Sequence, residues 1–249
     1  MIRLPLLDED AFDRFPDPRT ALVEPNGLLA LGGDLSPQRL KMAYSHGIFP
    51  WFNEGDPILW WSPDPRCVFH TADVRANRSL RRTVAAATWN VTVNRAFRDV
   101  MEACAAPRPG QSGTWISSAM IDAYSALHAM GFAHSVEVWS HDRLIGGIYG
   151  VAIGRLFCGE SMFSASSGGS KLALYALAAL LREWDFPLID AQVSNPHLLS
   201  LGAVEIPRST FLQHLSGLVS EPFDQQRWRG IPAISAKQLL NDGNISWSG

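Results

Sequence analysis

Glu160, Ser161, Asp190 and Gln192 are polar side chains set in an otherwise apolar stretch running from Leu144 to Gln192. Carboxylates beside a hydroxyl and an amide suit acyl transfer, in which an amine is held against an activated carbonyl and relieved of a proton. Asp190 and Gln192 stand two residues apart, so on a strand they share a face. A carboxylate and an amide buried in a sheet without partners are costly. Two arrangements meet that cost: a reactive site, or a structural network tying a sheet to a helix. The residues alone leave both open.

The elements that must position these side chains are legible from spacing. Leu144 to Ile153 and Leu156 to Phe163 read as strands around a Gly154–Arg155 turn, followed by a serine/glycine turn, a helix over Lys171–Trp184 and a strand over Leu188–Val193. A helix entered through small residues leaves backbone N–H groups for an electron-rich ligand. Upstream, helical spacing covers Asn94–Ala105, and Ser117 or Ser118 caps a helix that ends at Gly131. Residues 134–139 alternate as a strand, with a turn at Asp142–Arg143, and Asn195–Pro196 opens a short helix stopped at Gly202. The class is α+β, with a mixed sheet flanked by helices. Up to Pro65 the chain is rich in Pro, Gly and Trp, with one well-signalled helix from Pro37 to before Gly47. Its aromatics Phe49, Trp51, Phe52, Trp60 and Trp61 form either a minicore or a stacking platform for a base. The predicted division is therefore a small domain over 1–65 and a larger one over 66–249, with a polar, loosely held tail from Glu221.

Composition narrows the classes. A chain of 249 residues, 47% hydrophobic and 18% charged, is an ordinary globular composition. The apolar run Leu172–Leu181 is too short to span a bilayer, and acidic Asp8, Glu9 and Asp10 near Met1 oppose a signal peptide. Cys67, Cys104 and Cys158 show no C-x-x-C spacing, so a reducing cytoplasm is the expected location. The seven histidines lack ligand spacing, and no metal or cofactor is expected. A net charge of −3 argues against a non-specific nucleic-acid coat, although Arg66, Arg75, Arg78, Arg81 and Arg82 form a basic run. That run is either a solvated helix face or a footprint for folded RNA. Gly159–Phe163 lacks the closing glycine of a nucleophile elbow, and Gly168–Lys171 is not a phosphate-binding loop.

A series of motifs runs through most of the chain: EPNGLLALGGDLSPQRLKMAY (24–44), GIFPWF (47–52), DPILWWSPDPR (56–66) and GTWI (113–116). It continues through AHSVEVW (133–139), FCGESMFS (157–164) and LIDAQVSNPHLLSLGAVEIPR (188–208). In these motifs the chain resembles the leucyl/phenylalanyl-tRNA–protein transferase family. The resemblance implies transfer of Leu, Phe and, less readily, Met from aminoacyl-tRNA to proteins with N-terminal Arg or Lys, marking them for degradation. It implies a larger domain like the coenzyme A-dependent acetyltransferases (GNAT-like) and no cofactor; no membrane partner is expected, and the sequence leaves the oligomeric state open, with a monomer as the expectation. Carried over by position, Trp51 and Trp115 contact the terminal adenosine, with Tyr44 and Tyr124 nearby. Glu160, beside Ser161, orients the ribose or aminoacyl end, and Asp190 and Gln192 carry the chemistry. Ile148, Phe157, Leu174, Leu177, Leu181 and Ile189 line the aminoacyl side-chain pocket. Family members place methionine at 148 and phenylalanine at 177 and 181, so this pocket stays apolar but changes volume.

The chemistry needs neither nucleotide nor metal, because an amine attacking an ester gives an amide. In the expected arrangement Gln192 holds the amine, Asp190 polarises that amide, and backbone N–H groups of the 164–171 turn or a water meet the oxyanion. Arg78, Arg81 and Arg82 are expected on phosphates of the acceptor stem. The same layer order also fits a coenzyme A-dependent N-acetyltransferase, but the turn Ser-Ala-Ser-Ser-Gly-Gly-Ser lacks the Arg or Gln of a pyrophosphate loop. A non-catalytic RNA-binding module would keep the aromatics and arginines without needing Asp190 and Gln192.

Overall fold

Ser36 accepts the Arg39 N–H on its hydroxyl, Pro37 occupies the first helical position, and Gly47 at φ 73° stops the turn. The first helix, α1 (Pro37–Ser45), therefore forms where the residues predict it. The computed structural model describes residues 4–8, 11, 14–107, 114–241 and 247; Gly113 and most of the 105–112 connection lie outside them. The region before Pro65 holds more regular structure than its composition suggests. β1 (Leu6–Leu7), β2 (Leu28–Gly32), β3 (Phe49–Pro50) and β4 (Leu59–Trp61) make a four-stranded sheet in the order β1-β2-β4-β3.

An eight-stranded mixed sheet follows. Its early members are β5 (Arg66–His70) and, after helix α2 (Arg78–Ala85), β6 (Trp89–Val93). Helices α3 (Phe97–Ala105) and α4 (Ser118–Ala129) lead to an antiparallel meander of β7 (Ala133–Ser140), β8 (Arg143–Ile153) and β9 (Leu156–Ser164). The long helix α5 (Gly169–Glu183) crosses to β10 (Leu188–Gln192), which pairs parallel with β9 and antiparallel with β5. Then come α6 (Pro196–Ser200), β11 (Val204–Ile206), α7 (Arg208–Ser220), β12 (Ile234–Ser235) and α8 (Ala236–Asn241). The sheet order is β11-β5-β10-β9-β8-β7-β6-β12.

Alternation along the strands feeds two apolar layers. Ile148, Ala152 and Phe157 face α5, whose Leu172, Leu174, Leu177 and Leu181 are buried beneath them. Tyr149, Val151 and Cys158 face the other way, onto α1, α3, α4 and α7, and this layer also takes in Leu29, Ala30 and Trp60 of the small sheet. For residues 221–241 and Trp247, the expectation of a loosely held tail is corrected by the same contacts; the rest of the tail lies outside the described residues. β12 pairs with β6, and Trp228, Ile234, Leu239 and Trp247 are buried against the α5 layer. Scattered large apolar residues make a segment look polar on average, yet each finds a site in the core. Among the described residues no helix is long and apolar enough to cross a membrane.

Candidate active site

Two β-bulges face each other where β9 and β10 part. On β9, Tyr149 and Gly150 oppose Ser161 and Gly159, leaving Glu160 as the extra residue. On β10, Val68 and Cys67 oppose Asp190 and Gln192, leaving Ala191 as the extra one. The parallel pairing ends at Asp190 and Cys158, although β9 continues to Ser164. Beyond that point backbone bonds give way to a side-chain bond, with Gln192 Nε2 donating to Glu160 Oε1 at 2.7 Å. Gln192 takes φ 62°, a left-handed conformation uncommon for a residue with a side chain.

Glu160 is the hub. Tyr44 donates to its Oε1 at 2.7 Å, and Tyr124, 3.1 Å from its Oε2, has one proton to share between that oxygen and the Tyr44 hydroxyl it also bonds. Burial pushes the Glu160 carboxyl up to about 7, more than its hydrogen bonds hold it down. Burial and the Glu160 charge together keep Tyr44, Tyr124 and Tyr149 protonated, well above the ordinary phenol range. Helices α1 and α4 supply Tyr44 and Tyr124, so the hub joins the small-sheet region to the large sheet.

Asp190 lies beneath the site instead of in it. It is wholly buried, and Arg66 donates from Nε to Oδ1 at 2.8 Å and from a terminal nitrogen to Oδ2 at 2.7 Å. The other terminal nitrogen donates to the Gly47 carbonyl at 3.0 Å, and Asp190 Oδ1 accepts the Gln192 N–H at 3.0 Å. Arg66 itself is 1% exposed, against the solvated or RNA-facing alternatives considered for its run. Burial opposes its charge, but attraction to Asp190 outweighs this and leaves it above its ordinary value. Arg66 is the residue that sequence reasoning missed; the signal was an arginine within the apolar strand RCVFH.

A cavity of about 410 Å³ opens at the parting of the strands, lined by Trp51, Trp115, Glu160 and Gln192 together with Phe49, Pro50, Ala191 and the 193–195 turn. Trp51 is 44% exposed, and the Trp61 indole N–H holds its carbonyl at 2.6 Å. Tyr44 and Tyr124 reach the cavity through Glu160, and Ser161 does not line it. Ile148, Phe157, Leu174, Leu177, Leu181 and Ile189 are brought together in one buried cluster, but none lines the cavity; Ala191 lines it and packs on that cluster. On α2, Arg78, Arg81 and Arg82 are all exposed, and Arg81 also donates to the Ala76 and Leu240 carbonyls. Four N–H groups of the 164–171 turn are committed to protein acceptors: those of Ala165 and Ser166 bond the Ile145 carbonyl, Gly169 bonds the Ser166 carbonyl, and Ser170 bonds the Ser164 hydroxyl.

Comparison with known proteins shows the family. The family model described as leucyl/phenylalanyl-tRNA protein transferase matches residues 68–216, and that of its N-terminal domain matches residues 33–64. The chain is 60% identical over 216 residues to the leucyl/phenylalanyl-tRNA–protein transferase of Xanthomonas euvesicatoria pv. vesicatoria (strain 85-10), covering 86% of each chain. It is 57% identical over 226 residues to that of Xanthomonas axonopodis pv. citri (strain 306), covering 90% of this chain and 91% of the relative. For Nitrosospira multiformis the figures are 54% over 225 residues, 90% and 96%. Among solved structures, a conserved protein of unknown function from Bacteroides thetaiotaomicron VPI-5482 aligns with a TM-score of 0.45 and 14% identity. That alignment covers 58% of this chain and 57% of that one, too loose a likeness to name the fold.

Proposed function

We propose, since the chain belongs to the leucyl/phenylalanyl-tRNA–protein transferase family, that the cavity between Trp51, Trp115, Glu160 and Gln192 is where its reaction occurs. The protein is an aminoacyltransferase that moves leucine or phenylalanine from aminoacyl-tRNA to the N-terminus of a protein. The finer reading is that the acceptors begin with Arg or Lys, that methionine is a poorer donor, and that the monomer works in the cytoplasm to mark proteins for degradation. It includes the division into 1–65 and 66–249, supported by the boundary falling between the two matched stretches. It also includes an acetyltransferase-like layout for the larger part, supported by the β9–α5–β10 crossover and the splay beyond Cys158 and Asp190.

In this reading the terminal adenosine lies against Trp51 and Trp115, and Glu160 accepts a ribose hydroxyl. The donor side chain passes Ala191 into the cluster of Ile148, Phe157, Leu174, Leu177, Leu181 and Ile189, which must separate to admit it. One methylene in such a slot is worth about 1–3 kcal/mol of discrimination, so these aliphatic residues set donor preference. The acceptor α-amine, held by the Gln192 carbonyl oxygen, attacks the ester carbon. The new C–N bond replaces the C–O bond to the ribose, and the proton lost by the amine ends on the ribose oxygen. Asp190 acts through Gln192: Arg66 fixes it, and its carboxylate holds the Gln192 backbone in the left-handed conformation. Arg78, Arg81 and Arg82 meet acceptor-stem phosphates, Arg81 with the donors its structural contacts leave over.

The observation that carries this reading is the Gln192–Glu160 bond at 2.7 Å in a cavity that also has two tryptophans on its wall. The turn Ser-Ala-Ser-Ser-Gly-Gly-Ser lacks the Arg or Gln of a coenzyme A pyrophosphate loop, and four of its N–H groups are already bonded internally. The test mixes purified protein, leucyl-tRNA and an Arg-starting peptide and looks for the mass of one added leucine. Single-turnover transfer should drop sharply in Gln192→Ala with tRNA binding retained. A near-normal rate there would sink the assignment.

A further inference from the structure

A second cavity, of about 500 Å³, lies between the ends of β6 and β7 and the tail segment Gln225–Ala233. It shares no lining residue with the cavity of Trp51 and Gln192. Arg95 and Arg229 stand on its wall and none of its lining residues is acidic, in a chain whose net charge is −3. The nearest buried carboxylate, Glu137, does not line the cavity. It already accepts from Thr92, Ser135 and the Arg95 and Ala96 N–H groups, so it does not compete for the two guanidinium groups.

The inner wall is held in place by internal hydrogen bonds. Asn94, at φ 58°, donates from its amide to His134 Nδ1 and to the Trp228 carbonyl, both at 3.0 Å. With Nδ1 accepting, the neutral His134 ring carries its proton on Nε2. Burial holds His134 down to about 3, so the ring is neutral at physiological pH. Trp228 stacks on it with centroids 3.9 Å apart, and the Trp228 indole N–H is buried with no hydrogen-bond partner among the described residues. A wall that carries two arginines and an unpartnered indole N–H, without carboxylates, is matched by a ligand rich in acceptor oxygens.

We propose that this cavity is a second ligand site that takes a phosphate group on Arg95 and Arg229. The phosphate belongs either to the backbone of the tRNA substrate or to a small phosphorylated compound, and the chemistry of capture is the same. The first arm of the test titrates inorganic phosphate into the full chain by calorimetry. Saturable binding is expected, weakened at least tenfold in Arg95→Ala/Arg229→Ala, with transfer at saturating tRNA unchanged. If that pair fails to fold, Arg95→Lys/Arg229→Lys keeps the charge but loses the fork, and should still weaken phosphate severalfold. The second arm measures aminoacyl-tRNA affinity against salt. Two lost contacts at about 0.7–0.9 each would lower the log–log slope by about 1.4–1.8 and identify the tRNA as the source. An unchanged slope with phosphate binding lost in the variants identifies a small compound. An unchanged slope, together with no phosphate binding or binding indifferent to both substitutions, overturns the site.

Discussion

A carboxyl held near neutrality by burial makes the protein's stability depend on pH in a direction that can be derived. Glu160 is pushed up to about 7 from an ordinary 4.5, so between those values the folded state binds more protons than the unfolded one. Stability therefore falls as pH rises from about 4.5 through about 7. We predict that Glu160→Gln removes this slope: its stability relative to the parent, from urea midpoints at pH 5 and pH 8, should be higher at pH 8. Arg66 gives the opposite kind of dependence, on a partner instead of on solvent. Removing one member of a buried ion pair strands the other, at about 3–5 kcal/mol. Arg66→Met should show that loss in urea unfolding, and the double change Arg66→Met/Asp190→Leu should recover part of it. Asp190 and Gln192 were legible as polar residues in an apolar strand. Arg66 had a local signal, an arginine opening an apolar strand, but its role was masked because its partner lies 124 residues away and a basic run follows it.

At the scale of elements, what was legible depended on whether local residues or distant strands decide the structure. Helices α1 and α4 follow from Ser36 with Pro37 and from Ser117 with Gly131, all within a few residues of the ends they define. β6, β11 and the four-stranded sheet were missed because short strands exist only through partners far along the chain. The junction of β8 and α5 shows how tightly such partners fit. A Cβ on Gly146 would lie 2.4 Å from the Gly169 carbonyl carbon, and one on Gly169 would lie 2.4 Å from the Ile145 carbonyl oxygen. Both neighbours are backbone, which cannot swing aside. Gly146→Ala should therefore cost about 1–3 kcal/mol or more and lower the melting temperature, although alanine normally favours folding over glycine.

At the scale of the molecule, the tail is part of the large sheet and of its core. Trp228 is 1% exposed against His134, Phe157 and Trp184, and β12 covers the outer edge of β6. Trp228→Ala should cost about 3–5 kcal/mol, read as a shift of the urea midpoint, and leave single-turnover transfer intact at low temperature. The small sheet is bound in a different manner. Tyr44 reaches Glu160, and the Gly47 carbonyl reaches Arg66, so residues before 65 hold both the hub carboxylate and the arginine beneath Gln192. For recombination between relatives, the consequence is that residues 1–65 are not a free cassette. A crossover at that boundary yields an active chimera only when the incoming segment returns a phenol to position 44 and a left-handed turn to position 47. Lineages should therefore inherit those two positions together with Arg66 and Glu160, as one unit.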